Sequence, residues 1–215
     1  MRVAPAGIFA LAFLCGCTCG GPKIGETVDY NQEFFPEQWK HAPVLWQVGD
    51  LKADATVELK TDGQKREIAI VYEGKVVERE GYIANTKEVA LVYWIDPAER
   101  FDPPIPLLKF PMPVESEWEW KGKHIIGPRE LDAQAKIKTS KDRLELAIGS
   151  VEAVKVVVTL KTLDGSGNEK ERELRFWFAP GLGPVRREYG VGQVREPRRA
   201  TEAETRGGEE TKGDG

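Results

Sequence analysis

Apolar and polar residues alternate through most of this chain, at the period of a strand rather than of a helix. Val57 and Leu59, then Ile68, Ile70 and Tyr72, recur every second position between polar neighbours, which is the signature of half-buried β-strands. Thr61-Asp62-Gly63-Gln64 separates these two runs, and Asp-Gly readily takes the positive φ of a hairpin turn. Glu73-Gly74-Lys75 then leads into Val76–Ile83, and Asn85-Thr86 into Glu88–Ile95. The short connections predict a meander. The second half repeats the logic. A strand begins at Ile137, Leu144, Leu146 and Ile148 alternate, and Val154, Val156, Val158 and Leu160 line one face opposite Lys155 and Lys161. Asp164 to Asn168 forms a loop before Leu174, Phe176 and Phe178 face inward.

The pattern predicts a mainly β chain, a strongly curved antiparallel sheet of roughly 9–11 strands with one short helix around Asn31–Lys40. Strands and helices do not alternate, which argues against a parallel sheet. In Glu88–Ile95, Val89, Leu91, Tyr93 and Ile95 should face one way and Ala90, Val92 and Trp94 the other. Strands apolar on both faces are covered on both faces. The cover is expected from Asp96 to Val114, where Pro97, Pro103, Pro104, Pro106, Pro111 and Pro113 interrupt any helix or central strand. Phe101, Ile105, Leu107, Leu108, Phe110 and Met112 decorate that segment.

The first residues follow a different rule. Arg2 precedes an apolar and small-residue run from Val3 to Leu14, too short for a membrane-crossing helix of roughly 20 residues and suited to a secretory signal. The run ends in Leu14-Cys15-Gly16-Cys17, which resembles the lipobox of bacterial lipoproteins. The resemblance implies lipidation of Cys17 and cleavage after Gly16. Cys15 stands where Ala, Ser or Thr is commoner, and Thr18 before Cys19 makes that cysteine a poor competitor. Thr18 in place of Asp, by resemblance to enterobacterial sorting, favours the outer membrane. Residues 1–16 are thus expected as signal peptide and residues 17–28 as a lipidated tether of at most ~35 Å. Residues 29–194 would form one β-rich envelope domain, and residues 195–215, without a large apolar side chain, a disordered charged tail.

Composition narrows the chemistry. All three cysteines lie within Cys15–Cys19, so the domain must rest on its hydrophobic core rather than on disulfides. The formal net charge is −4 with acidic and basic residues interleaved, which disfavours nucleic acid. His41 and His124 are the only histidines and lack ligand-spaced companions, so neither a metal site nor a cofactor is expected. Ser116, Ser140, Ser150 and Ser166 show no nucleophile-elbow pattern. Glu115, Glu117 and Glu119 alternate with Ser116, Trp118 and Trp120, which reads as an amphipathic strand rather than a sugar-cleaving pair. Ala179-Pro180-Gly181-Leu182-Gly183-Pro184 is followed by strand-like alternation, so it reads as a reversal between the last two strands and not a phosphate loop. Arg186 and Arg187 beyond it are candidates for contact with an anionic group.

From Arg175 through Glu188 the order of aromatic, Trp, aromatic, Ala-Pro-Gly-x-Gly-x-Val resembles a strand–turn–strand found in bacterial envelope proteins. Leu107-Leu108-Lys109-Phe110-Pro111 through Trp118 loosely matches their upstream segment. Those sheets are similar to the half-barrel of the lipoprotein carriers and receptors of the Gram-negative periplasm, so the resemblance implies a half-barrel. The expected function is a non-enzymatic, membrane-anchored binding or carrier domain for a hydrophobic ligand, acyl chain or peptide. Phe101, Leu107, Phe110, Trp118 and Trp120 are the candidate ligand contacts. The alternatives are a structural or protein-interaction module with a self-filled core, and an envelope enzyme using carboxylates that the sequence does not place.

Overall fold

The structure is a computed structural model that describes residues 24–30, 33–36, 42–163, 166–189 and 193–198. Twelve strands close into one barrel. In chain order they are β2 (Ala42–Val48), β3 (Leu51–Asp62), β4 (Lys65–Tyr72), β5 (Lys75–Ala84), β6 (Glu88–Tyr93), β7 (Glu99–Lys109), β9 (Ser116–Ile126), β10 (Arg129–Leu146), β11 (Gly149–Leu163), β12 (Glu169–Ala179), β13 (Gly183–Tyr189) and β14 (Gln193–Pro197). Each pairs antiparallel with its neighbour in this order, and β14 returns to β2 with Arg195 opposite Trp46. Outside the wall, β1 (Thr27–Val28) pairs with β8 (Met112–Pro113).

The sheet is mainly β and antiparallel as expected, but it is a closed barrel and not a half-barrel. Closure gives every edge a partner, which an open curved sheet leaves exposed. The count exceeds the expectation because three wall strands lie in stretches with weak alternation: Ala42–Val48, Glu99–Lys109 and Gln193–Pro197. The proline segment is therefore wall rather than cover. β7 pairs along β6, with register shifts that accommodate Pro103, Pro104 and Pro106, but meets β9 only over Glu99–Asp102. Proline has no N–H to donate, so β7 can be fully laddered only where it carries none. The peptide bonds Asp102–Pro103 and Phe110–Pro111 are cis.

The terminal boundaries also move. Ile24 and Val28 are buried, so the tether's last residues belong to the fold. Arg195 is buried within β14, so the boundary placed after Val194 cuts a wall strand. Among the described residues there is no helix. Residues 33–36 of the span expected to be helical are irregular, and its remainder lies outside the described residues, as do the signal peptide, Cys17 and residues 199–215.

Alternation sorts the wall into two faces. Ala133, Ala135 and Ile137 of β10 and Val154, Val156, Val158 and Leu160 of β11 face the core. On the outer face Lys136 and Lys138 pair with Glu117, Lys161 with Glu169 and Arg175 with Glu188. A charged exterior around an apolar interior is the inverse of a membrane-spanning barrel. β6 departs from simple alternation. A register shift between Leu91 and Tyr93 leaves Tyr93 over Gly81 on the outer face and turns Trp94 into the core, where strict alternation places them the other way round. A smaller apolar cluster of Leu146, Val151, Ala153, Trp177, Ala179 and Val185 packs the long β10–β11 hairpin against β12 and β13.

Candidate functional site

The two ends of the barrel differ. The turns at 63–64, 85–87, 147–148 and 180–182 share one end with the chain before β2. There the Phe34 ring stacks on Phe110 at 5.9 Å and meets Phe178 edge-on at 6.0 Å, while Phe35 lies 5.3 Å from Tyr82. The Gly181 N–H donates to the Glu33 carbonyl at 2.8 Å. The Ile24 N–H donates to Glu152 at 3.0 Å, and Lys141 donates to the Ile24 carbonyl at 2.9 Å. Residues 24–30 and 33–36 thus plug this end, with a shallow cavity of about 300 Å³ beside Phe34, Phe35 and Phe110.

Above the plug the interior holds four charges. Glu78 and Glu80 project inward from β5, Arg187 from β13 and Arg195 from β14, all buried. Arg187 Nε donates to Glu80 at 2.6 Å, and its Nη2 donates to Glu78. Arg195 Nη2 donates to Glu80 at 3.2 Å and its Nη1 to the Pro184 carbonyl at 2.9 Å. Tyr82 Oη donates to Glu80 at 2.6 Å and Trp46 Nε1 to Glu78 at 2.8 Å. Burial alone would raise the Glu80 carboxyl, but Arg195, Arg187 and the Tyr82 hydroxyl bring it down to about 2. Burial, and then the Glu80 charge, push the Tyr82 and Tyr189 hydroxyls well above the usual tyrosine range. Two carboxylates and two guanidiniums balance, so the cluster ties opposite walls together without a net buried charge.

The opposite end carries two adjoining clefts. The first, about 350 Å³, is lined by Glu99, His124, Ile126, Arg129, Leu131, Leu160, Thr162, Lys170 and Arg172. The second, about 420 Å³, is lined by Trp94, Ile95, Leu174, Tyr189 and Glu171–Glu173, so Arg172 borders both. His124 Nε2 lies 3.0 Å from Glu99 Oε1 and Arg172 lies 3.5 Å from the same oxygen. Burial opposes ionisation of Glu99, yet its hydrogen bonds with His124 and Trp94, and then the nearby Arg172, hold its carboxyl below the usual range. Trp94 stands between the clefts, 5.8 Å from the His124 ring and 5.5 Å from Tyr189. A further outer groove of about 710 Å³ runs over Lys65, Arg66, Ile83 and Tyr93.

The expected ligand residues do not converge on one cavity. Phe101 and Trp120 are buried 6.0 Å apart beneath the clefted mouth, and Leu107 is in the core near the plugged end of β7. Trp118 is half-buried and donates to the Pro106 carbonyl at 3.0 Å, and Trp120 donates to the Pro103 carbonyl at 3.1 Å. Phe110 belongs to the plugged end. Arg186 is bound to Glu188 and Glu196, and Arg187 to Glu78 and Glu80, so carboxylates of this chain already occupy both guanidiniums. Cys17 lies outside the described residues. Sequence reading missed the inward acids Glu78 and Glu80, because charges on a strand ordinarily mark its wet face. One signal was present: Arg187 alternates with Tyr189 on β13, which puts an arginine on the face of a buried aromatic and asks for a buried partner. The pairing of His124 with Glu99 had no such signal.

Together the fold and its ends define a closed, up-and-down antiparallel barrel with a plugged base, a self-filled interior and a clefted mouth. No protein family matches the sequence, and no curated protein matches it. Two solved structures are similar to the chain. One, a candidate lipoprotein of Parabacteroides distasonis, is 14% identical with a TM-score of 0.42, covering 75% of this chain and 94% of its own. The other, a candidate exported protein of Bacteroides fragilis with a YmcC-like fold, is 10% identical with a TM-score of 0.35, covering 75% of this chain and 95% of its own.

Proposed function

We propose that this chain is a lipoprotein of the bacterial cell envelope, anchored by acyl chains on Cys17, and that it is a non-enzymatic binding module whose working face is the clefted mouth. One observation carries the orientation. Residues 24–30 and 33–36 plug one end of the barrel, so an anchor a few residues upstream of Ile24 holds that end toward the bilayer. The clefts at the other end then face away from the membrane. Thr18 after the anchor supports the outer membrane as the destination.

The filled interior changes the carrier reading. Phe34, Phe35, Phe176, Phe178 and the charged cluster occupy the lumen, leaving little support for an acyl chain threaded through it. A hydrophobic ligand is better served at the mouth, where Ile126, Leu131 and Leu160 are lined up with polar groups. A second reading, catalysis, is favoured by Glu99 orienting His124. The binding reading leads because Ile126, Leu131 and Leu160 share the cleft with Arg129 and Lys170.

Two measurements test the proposal. Cys17→Ser should move the protein from the membrane fraction to the soluble one, and a variant that stays acylated and membrane-bound overturns the anchor. A photo-crosslinking residue at Leu163, near the mouth, should capture envelope components in intact cells, whereas one at Ile148, beside the plug, should not. Capture only from Ile148 reverses the orientation and sinks the reading.

A further inference from the structure

We infer that the mouth is a binding site for a small organic anion with a short apolar body, such as a medium-chain carboxylate. This deepens the binding-module reading and rests on it. Two independent observations converge on the place. The first is charge. Arg129 and Lys170 border the first cleft with no ion pair to a described residue, while the acids nearby are already engaged: Glu99 with His124 and Arg172, Glu171 with Lys161, Glu173 with Arg175. Among the charged residues lining the two clefts, Arg129 and Lys170 are thus the ones without an ion pair to a described residue.

The second is a set of buried polar atoms without hydrogen bonds. His124 Nδ1 and Tyr189 Oη each lack a hydrogen bond, although both side chains are more than nine-tenths buried and border the clefts. Trp94 Nε1 is directed at the Glu99 carboxylate and favours its ionised form. Behind Tyr189, the Arg187 guanidinium sits 4.4 Å over the ring with Nη1 also unpaired. Such groups are costly to leave unsatisfied and in native proteins are met by ordered water or by a ligand. The Tyr189 hydroxyl can donate, so an acceptor at the second cleft would satisfy it.

The rest of the lining sets the body of the ligand. Ile126, Leu131 and Leu160 line the first cleft, and Ile95 and Leu174 the second. An anionic head toward Arg129, Lys170 and Arg172, with an aliphatic stem on Ile126, Leu131 and Leu160, matches both the charge and the apolar lining of the first cleft. A bare inorganic anion leaves the apolar lining uncovered, and a neutral alcohol leaves the cations unmatched.

The test uses the soluble chain lacking residues 1–16, with octanoate, inorganic phosphate and octanol as probes. The six tryptophans give separate indole N–H resonances, and Trp94→Phe assigns the relevant one. Octanoate should shift the Trp94 resonance saturably, with phosphate and octanol each at least about tenfold weaker. The surface double variant Arg129→Ala/Lys170→Ala should weaken octanoate about tenfold, about 1.4 kcal/mol, without moving octanol. If octanol binds as well as octanoate, or the double variant binds like the parent, or octanoate leaves Trp94 unmoved, the inference is overturned. Crosslinking from Leu163 remains the separate measure of the module reading, so a captured partner with no octanoate response removes the ligand class alone.

Discussion

Arg187 Nε donates to Glu80 at 2.6 Å across the interior of the barrel, joining strands separated by 107 residues of sequence. Neither group has water to fall back on, since both are fully buried. Removing one member leaves its partner charged in an apolar interior, which costs more than the pair contributes. Glu80→Gln should therefore destabilise the protein by about 3–5 kcal/mol. Adding Arg195→Met restores charge balance with the remaining Glu78–Arg187 pair, and the double variant should lose less than the single. Urea denaturation of the three proteins decides it, and a double variant that loses the sum of both changes counts against the cluster acting as a unit.

The same carboxylate makes stability depend on pH. Glu80 titrates at about 2 in the fold against an ordinary 4.5, so the unfolded chain binds its proton first on acidification. Its contribution is complete above about pH 4.5, falls as the pH drops, and is gone below about 2; from the shift it is about 3 kcal/mol. Chemical denaturation at stepped pH should show this loss, and Glu80→Gln should flatten that part of the profile. An unchanged slope in the variant would assign acid sensitivity to other groups.

The plug should be energetically coupled to the barrel. Phe34 is buried between Phe110 and Phe178, so Phe34→Ala should cost about 3–5 kcal/mol. Deletion of residues 17–36 should loosen the same end, read as faster amide exchange around Phe178 and Ala84. Retained protection there would show that the segment rests on the barrel without supporting it.

Gly81 is required by a neighbour and not by its own backbone. A Cβ at this position would stand 2.1 Å from the Tyr93 ring, whose hydroxyl donates to Glu67 at 2.6 Å. Gly81→Ala must displace that ring and break the hydrogen bond, costing about 1–3 kcal/mol. With Tyr93→Ala already made, the added methyl should cost much less. Equal costs in both backgrounds, measured by thermal or urea unfolding, would place the strain elsewhere.

The local rules of the chain were legible where side chains decide them one strand at a time. Asp62-Gly63 and Glu73-Gly74 make the reversals expected of them, with φ of 55° at Gly63 and 73° at Gly74. Trp118 and Trp120 face the interior side and Glu117 and Glu119 face water, because a period of two leaves only those two choices. The antiparallel meander follows from these patterns and from the short turns between them.

Closure did not follow, because it depends on the pairing of β14 with β2, almost the whole domain apart in sequence. A half-barrel and a full barrel have the same alternation, and no local signal separates them. The prolines of Glu99–Lys109 suggested a cover, but proline's missing N–H forbids only one side of a ladder, and the wall supplies that side by keeping β7 and β9 apart beyond Asp102. The acids of β5 looked solvated until Arg187 and Arg195 arrived from other strands to neutralise them. The sequence by itself therefore determined strands, turns and which face of most strands is dry. Tertiary structure alone decided closure, the buried charge cluster and the mouth that brings His124, Glu99 and Trp94 together, since each requires groups that only long-range pairing places within reach.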